Sequence, residues 1–400
     1  MPRKCLWPCS TRRAAPKLTR LGDLVGQTAF MRPKHTEETP SRPNKYRAIF
    51  SELREAIASG KYKPGQRIPS EAQLSRSFGA SRLTVGRALN ELEAVGMIER
   101  RAGSGSYVSK IPEQSGRTFG LLIPELGETE IFEPICQGMA RVTRITRDEL
   151  LWGAATHADE PHGQQALELC NYYIARDVSG VFFAPLEHTP EKNEVNRRVV
   201  DAFEKAGIPL VLLDRDAVHY PNRSRCDLVG IDNRRAGCVV TQHLLDHGCK
   251  RIVFVGSPNS APTVDQRISG YADALKGSGV PQLLEIGDVE SVKWISRIAV
   301  EHQPDGFVCE NDRTAGRLML HLNELGFEIP SKMKIIGFDD VKYAGLLHVP
   351  LTTLRQPCHD MGAAAVWAMI DRIAHPNMSA RDILLDCRLI ERRSCGAEKS

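Results

Sequence analysis

The feature that most constrains this chain is a rhythm that begins near residue 119. Short apolar runs of five to seven residues recur with amphipathic segments between them: "FGLLI" (119–123), "ELLWGA" (149–154), "GVFFAP" (180–185), "PLVLLD" (209–214), "LVGID" (228–232), "RIVFVG" (251–256), "LLEIGD" (283–288), "GFVCE" (306–310) and "KIIGFDD" (334–340). Strands buried on both faces alternate with helices such as "EVNRRVVDAFEKAG" and "RAGCVVTQHLLDHG", which implies an α/β class with parallel sheets. The rhythm restarts after about residue 220, so two similar lobes are expected rather than one very wide sheet. Ligands of such sheets bind beyond the carboxyl ends of the strands, where the polar residues matter most.

The front of the chain has another character. In "NKYRAIFSELREAIASG" the apolar Ile49, Phe50, Leu53 and Ile57 share one helical face. "SEAQLSRSFG" offers Ser70 and Gln73 at capping-box spacing and Gly79 near its end. A third helix over 82–95 buries Val85, Leu89, Leu92 and Val95. After it, "MIERR", the turn "AGSG" and "SYVSK" make a β-hairpin. Three helices and a hairpin form a winged helix-turn-helix, expected over 41–112.

Charge follows this division. Residues 1–40 carry eight Lys/Arg against three Asp/Glu, net +5, and read as a disordered basic tail. Residues 41–112 carry thirteen against six, net +7; the whole chain is +4, so the remainder is −8. A basic front on an acidic body points to a polyanion partner for the front alone. The recognition helix enters the major groove, and Arg82, Leu83, Gly86 and Arg87 point away from its buried face. Ser81 caps it. Arginine suits the task because its planar fork bonds guanine or grips phosphate. Gly103 and Gly105 at the hairpin tip would let backbone approach the duplex.

Residues 60–109, "GKYKPGQRIPSEAQLSRSFGASRLTVGRALNELEAVGMIERRAGSGSYVS", closely resemble the winged-helix domain of the GntR family of bacterial transcription regulators. Position by position, the resemblance implies DNA contacts from Arg82, Thr84 and Gly105, with Arg76 on the preceding helix as a further candidate. Where the family commonly has arginine after "S-R-x-T-V", this chain has Gly86. Either a DNA contact has been dropped, or the bare backbone comes closer to the duplex and Arg87 takes over.

Beyond a linker at 113–118, the strand ends carry Asp214, Asp232-Asn233, Asn311-Asp312 and Asp339-Asp340, and Arg267 lies in "SAPTVDQRISGY". Carboxylates, amides and arginines of this kind grip hydroxyl-rich molecules, although Asp232 and Asp312 are as well placed to cap helices. "DLVGIDNRRAGCVVTQHLLDHGCKRIVFVG", "QRISGYADAL", "IIGFDD" and "PLTTLRQP" resemble the effector domain of the LacI family, itself similar to periplasmic sugar-binding proteins. The resemblance implies a two-lobed, periplasmic-binding-protein-like domain over 119–396, with one lobe from about 119–220 and 357–374. The other would span about 226–350 plus the C-terminal segment. It also implies effector contacts from Glu125, Asp214, Arg267, Asn311 and Asp339.

Other chemistries find little support. No nucleophile elbow or phosphate loop is present, and no cofactor is implied. His243 and His247 are spaced i, i+4, but no third ligand stands beside them in sequence, which favours surface residues over a zinc site. Eleven cysteines without a Cys-x-x-Cys pair fit reduced thiols, and no apolar run approaches a membrane span, so a cytoplasmic protein is expected. The expectation is a homodimeric DNA-binding regulator, a repressor controlled by a sugar-like effector. The alternative is a sugar- or nucleotide-handling enzyme fused to a DNA-binding head.

Overall fold

The computed structural model describes residues 45–58, 60–94, 97–101, 104–109, 116–124, 130–153 and 161–397. The tail, Val95, Gly96, Gly103, the first half of the linker (113–115) and Glu125 lie outside the described residues.

The head is built from α1 (Lys45–Ala58), α2 (Glu71–Phe78), α3 (Arg82–Ala94) and the antiparallel pair β1 (Ile98–Arg101) and β2 (Gly105–Val108). Ser70 and Gln73 form the capping box at the start of α2, and Gly79 ends that helix in the left-handed conformation, φ 55°. Ile49, Leu53, Ile57, Leu74, Val85, Leu89 and Leu92 close the core against Ile98 and Val108 of the wing.

The body holds two six-stranded sheets. The first lobe runs β3 (Thr118–Leu122), α4 (Phe132–Thr146), β4 (Glu149–Trp152), α5 (His162–Ala175), β5 (Gly180–Phe183), α6 (Lys192–Ala206), β6 (Leu210–Leu213) and β7 (Asp227–Ile231). The second runs α7 (Asn233–Asp246), β8 (Ile252–Gly256), α8 (Pro262–Leu275), β9 (Leu283–Ile286), α9 (Val292–His302), β10 (Gly306–Cys309), α10 (Asp312–Glu324), β11 (Lys334–Asp339) and β12 (Thr352–Arg355). The chain then recrosses: α11 (Cys358–Ala374) packs on α4, β13 (Asp382–Leu385) pairs with β7, and β14 (Arg388–Ile390) pairs with β12. The sheet orders are β13-β7-β6-β5-β3-β4 and β14-β12-β11-β10-β8-β9. Within these two sheets, among the described residues, only the pairing of β14 with β12 is antiparallel.

The lobe boundaries therefore differ from expectation. The strand expected to open the second lobe at about 226 belongs to the first sheet, and 352–355 belongs to the second. The C-terminal segment is shared, β13 to one sheet and β14 to the other. Val229, paired with Leu213 of β6, and Ile231 are buried in the first core with Val211 and Leu213, so they complete that core before the chain leaves it.

Each lobe contains one unusually tight helix crossing. A Cβ on Gly138 of α4 would lie 2.1 Å from the His359 carbonyl oxygen, and one on Gly362 of α11 2.0 Å from that of Ile135. Gly237 and Gly270 do the same for α7 and α8, at 2.1 Å from the Arg267 oxygen and 1.9 Å from that of Arg234. Backbone meets backbone there, and any side chain would force the helices apart.

The head rests on the first lobe. Arg54 of α1 pairs with Asp360 in the first turn of α11, and Trp367 of α11 packs against the head's apolar core. Burial, with Asp360 second, raises the carboxyl of Glu91 on α3 above its ordinary value.

Gly237→Ala is expected to destabilise the body by about 1–3 kcal/mol or more, because backbone cannot yield as a side-chain tip can. Urea unfolding followed by circular dichroism measures the cost.

Candidate functional site

At the head, Ser81 caps the recognition helix: the Thr84 backbone N–H donates to Ser81 Oγ at 3.1 Å, and the two hydroxyls lie 2.8 Å apart. With Val85, Ala88, Leu89 and Leu92 buried, Arg82, Leu83 and Arg87 stand on the outer face. Leu83 is 87% exposed, an apolar side chain set between cations. A Cβ on Gly86 would meet nothing within 4 Å, so no packing demands glycine there. Arg87 is held, its guanidinium 4.8 Å from the ring centroid of Tyr46 on α1. Arg76 is exposed and bonds back to the Ala72 carbonyl of its own helix.

The wing departs from a simple basic tip. Arg100 is tied to Glu71 and Asn90, clamping the hairpin to the helices, while Arg101 pairs with Glu99 at 3.1 Å and lies over Tyr107. Gly105 has φ +117°, and a Cβ there would come within 2.8 Å of the Arg67 guanidinium. The glycine thus lets Arg67 lie against the wing. Sequence reasoning placed Leu83 on the outer face but missed Arg67, which does not stand out from an ordinary loop cation.

In the body, the carboxyl ends of β6, β10 and β11 converge with α8. Arg267 is 4% exposed. Its Nε donates to Asn233 Oδ1 at 2.9 Å, one terminal nitrogen donates to the Glu310 carbonyl oxygen at 2.5 Å, and the other lies 3.9 Å from Asp339 Oδ1. The guanidinium carbon sits 4.5 Å from the Phe338 ring centroid. From the first lobe come Asp214, in the left-handed region at φ 68°, and Arg215, which pairs with buried Glu187 at 2.5 Å and lies over Phe132. Gln356 joins the lobes through its amide, which donates to Asp339 Oδ1 at 2.8 Å.

Charge is shared across this group. Burial pushes the Asp214 carboxyl up, against the pull of Arg215 and Arg267. Burial also raises Asp339, to about 6, with Arg267 and Gln356 opposing and Asp214 and Glu130 adding to the rise. Burial works on Glu187 in the same sense, but Arg215 beside it, with His188 and Arg267, leaves its carboxyl below the ordinary value. Asp214 Oδ1 and Gln356 Oε1 are buried with no hydrogen-bond partner.

The lobes are latched on both sides of this cluster. The His188 backbone N–H donates to the Asn259 carbonyl at 2.7 Å, and Lys192 reaches the carbonyls of Asn259 and Ser260. Opposite, Lys342 pairs with Glu133 at 2.9 Å and the Tyr343 hydroxyl donates to Glu130 at 3.0 Å.

Asp214, Arg267 and Asp339 are thus brought together. Asn311 is near them but spends its Oδ1 capping α10, accepting the Thr314 N–H at 2.8 Å, so only its amide nitrogen is left to meet a ligand. The capping role expected of Asp312 belongs to Asn311; Asp312 is buried, accepting from Thr353 Oγ1 at 2.6 Å and the Val341 N–H at 3.1 Å. Asp232 caps α7, and Asp340 pairs with Arg355 and Arg392. Glu187, Arg215 and Gln356 were not anticipated, whereas Asn233 was among the polar strand-end residues; for Arg215 the signal was its place directly after Asp214. A separate cavity of about 680 Å³ lies along α6 and the end of α11, away from this chemistry.

Residues 45–108 match the model of bacterial regulatory proteins of the gntR family, and residues 241–395 match that of the periplasmic binding protein-like domain. The chain is 30% identical over 365 residues to the arabinose metabolism transcriptional repressor of Geobacillus stearothermophilus, covering 88% of this chain and 97% of that one. The chain belongs to the GntR family of bacterial regulatory proteins. This GntR-family member is a DNA-binding transcriptional regulator, and the enzyme alternative falls away. Its body shares the fold of a LacI-family regulator from Enterococcus faecium solved with bound ribose (TM-score 0.56, 23% identity, 70% of this chain and 98% of that one). A GntR transcription regulator from Chromobacterium violaceum is similar too (TM-score 0.56, 26% identity, 70% and 100%). Among the described residues, no helix of the regulator is long and apolar enough to cross a membrane.

Asp339 makes the regulator's stability depend on pH. The unfolded chain releases that proton near 3.8 and the folded one near 6, so the folded state binds more protons in between. Stability therefore falls as pH rises through this window, and the loss persists above it. Asp339→Asn is expected to stabilise the ligand-free regulator at pH 7.5 by about 1–3 kcal/mol, a gain that vanishes below about pH 4. Unfolding curves at the two pH values measure it.

Proposed function

We propose that this regulator is a homodimeric repressor of carbohydrate-utilisation genes whose effector, a sugar or sugar derivative, binds between the two lobes. One observation carries the ligand class: beside the Arg267 guanidinium lie two buried acceptors, Asp214 Oδ1 and Gln356 Oε1, with no donor to satisfy them. Buried acceptors without partners are costly, and sugar hydroxyls supply donors in adjacent pairs. Arg267 and Arg215 stand against Glu187, Asp214 and Asp339, a near balance that suits an uncharged polyol. Asn311 would contribute its amide nitrogen, and Glu125 is carried as a further contact on the family resemblance. The repressor named for arabinose metabolism points the same way.

At the operator, two heads related by the dimer axis would place their recognition helices about one helical turn apart in the major groove. Ser81 sets the start of that helix. Arg82 and Thr84 would reach bases or phosphates, Leu83 would pack on a thymine methyl, and Arg76 would meet the backbone. Gly105 with Arg67, and Gly103 on the resemblance, would meet the duplex at the wing. Gly86 is best read as a dropped contact, since Arg87 is already stacked on Tyr46.

A thermal-shift panel of aldopentoses, hexoses and nucleosides tests the effector, because a ligand of the folded state raises the melting temperature by mass action. Arg267→Ala is expected to abolish the shift for every active sugar while operator affinity without sugar stays within about twofold. A surviving shift rules out the cleft. Gly86→Arg is expected to tighten operator binding and to steepen its salt dependence by about one phosphate's worth in a log–log titration. Weaker binding would mean that the bare backbone itself approaches the DNA.

A further inference from the structure

The histidine pair on α7 has a partner that is remote in sequence. A short 3₁₀ turn, Arg393–Cys395, follows β14 and brings the Cys395 thiol beside His243 and His247, with one donor atom from each within 4.8 Å of the others. The spacing alone had suggested surface histidines, yet His243 is 8% exposed and Cys395 is fully buried.

The hydrogen bonds leave metal-binding atoms free. His247 Nδ1 lies 2.8 Å from the His243 carbonyl oxygen; as the donor there, it leaves the Nε2 lone pair open. His243 Nε2 is buried and has no hydrogen-bond partner. The rings lie side by side, centroids 4.1 Å apart. The Glu391 carboxylate is close enough to His243 to act on it electrostatically. A buried imidazole nitrogen without a partner is costly in an ordinary core.

We infer that His243, His247 and Cys395 form a site for a thiophilic divalent metal, with zinc the best chemical match. Two imidazoles and one thiolate make three ligands of a tetrahedron, at about 2.0–2.1 Å for nitrogen and 2.3 Å for sulfur. Donors within 4.8 Å of one another would close to about 3.3–3.7 Å, the separation such ligands keep around a tetrahedral ion. The thiol, now donating to the Arg392 carbonyl at 3.2 Å, releases its proton to solvent when the metal binds. Water or the exposed Glu391 carboxylate completes the shell, and thiolate plus carboxylate would neutralise the ion. The other compact donor group among the described residues, Glu285, Glu301 and His302, is already consumed by ion pairs with Arg297 and with itself.

Such a metal would pin the end of the chain to the helix whose first residue, Asn233, holds Arg267. This reaches beyond the effector and operator assignments and needs neither sugar nor DNA to be tested. The full chain is reduced, stripped with chelator and titrated with cobalt(II). A thiolate-to-cobalt charge-transfer band saturating at one equivalent, displaced by zinc, is expected, together with a zinc-dependent rise in melting temperature. Cys395→Ser should remove the band and the rise while keeping the circular dichroism spectrum. His247→Gln, at a less buried position, should weaken zinc binding by more than the roughly 10–100-fold typical of losing an outer-shell partner. An unchanged band in Cys395→Ser, unchanged affinity in His247→Gln, or no band in the unsubstituted protein would each overturn the site.

Discussion

A single buried guanidinium organises the effector lobes. Arg267 cannot enter the interior without acceptors, and the fold brings them from three elements: the Asn233 side chain on α7, the Glu310 carbonyl at the end of β10, and Asp339 at the end of β11. Its position is set in turn by backbone, since α8 can approach α7 so closely because Gly237 faces the Arg267 carbonyl and Gly270 that of Arg234. Around this cation gather carboxylates that burial disfavours and that repel one another, offset by Arg267 and Arg215. Such a cluster exchanges stability for the capacity to recognise something.

At the head, chemistry is separated from scaffolding more sharply than the cationic content suggests. Arg54, Arg87, Arg100 and Arg101 all engage neighbours within the protein, so the net positive charge of the segment overstates its free donors. Arg82 and Leu83 face outward at the start of the recognition helix. In the proposed operator complex, a polar and an apolar side chain side by side would match the major groove, where hydrogen-bonding edges alternate with thymine methyls.

Much of this was legible in the sequence, and what was not has physical reasons. Nine strands showed themselves because each carries a continuous apolar run. The three that did not, β12 to β14, hold their places by contacts across long stretches of chain. In β12, Thr352 and Thr353 bury their hydroxyls by bonding the Arg392 carbonyl and Asp312, partners about forty residues away. The capping box of α2 was readable because both partners lie within four residues. Asp312 was misread for the opposite reason, its acceptors being satisfied by Val341 and Thr353. Local rules found local bonds. Cys395 and Gln356, whose partners lie far along the chain, emerged only once it was folded.

The recrossing after β12 joins cleft and head within a few residues. Gln356 holds Asp339 at the floor of the cleft, and Asp360, about one helical turn further, grips Arg54 of the head. Between them lies the stiff start of α11, fixed against α4 where Gly362 meets the Ile135 carbonyl. The two ends of the regulator thus share a mechanical link independent of the covalent connection at residues 109–117. If the effector sits where proposed and competes for Gln356, it would tug directly on the footing of the head.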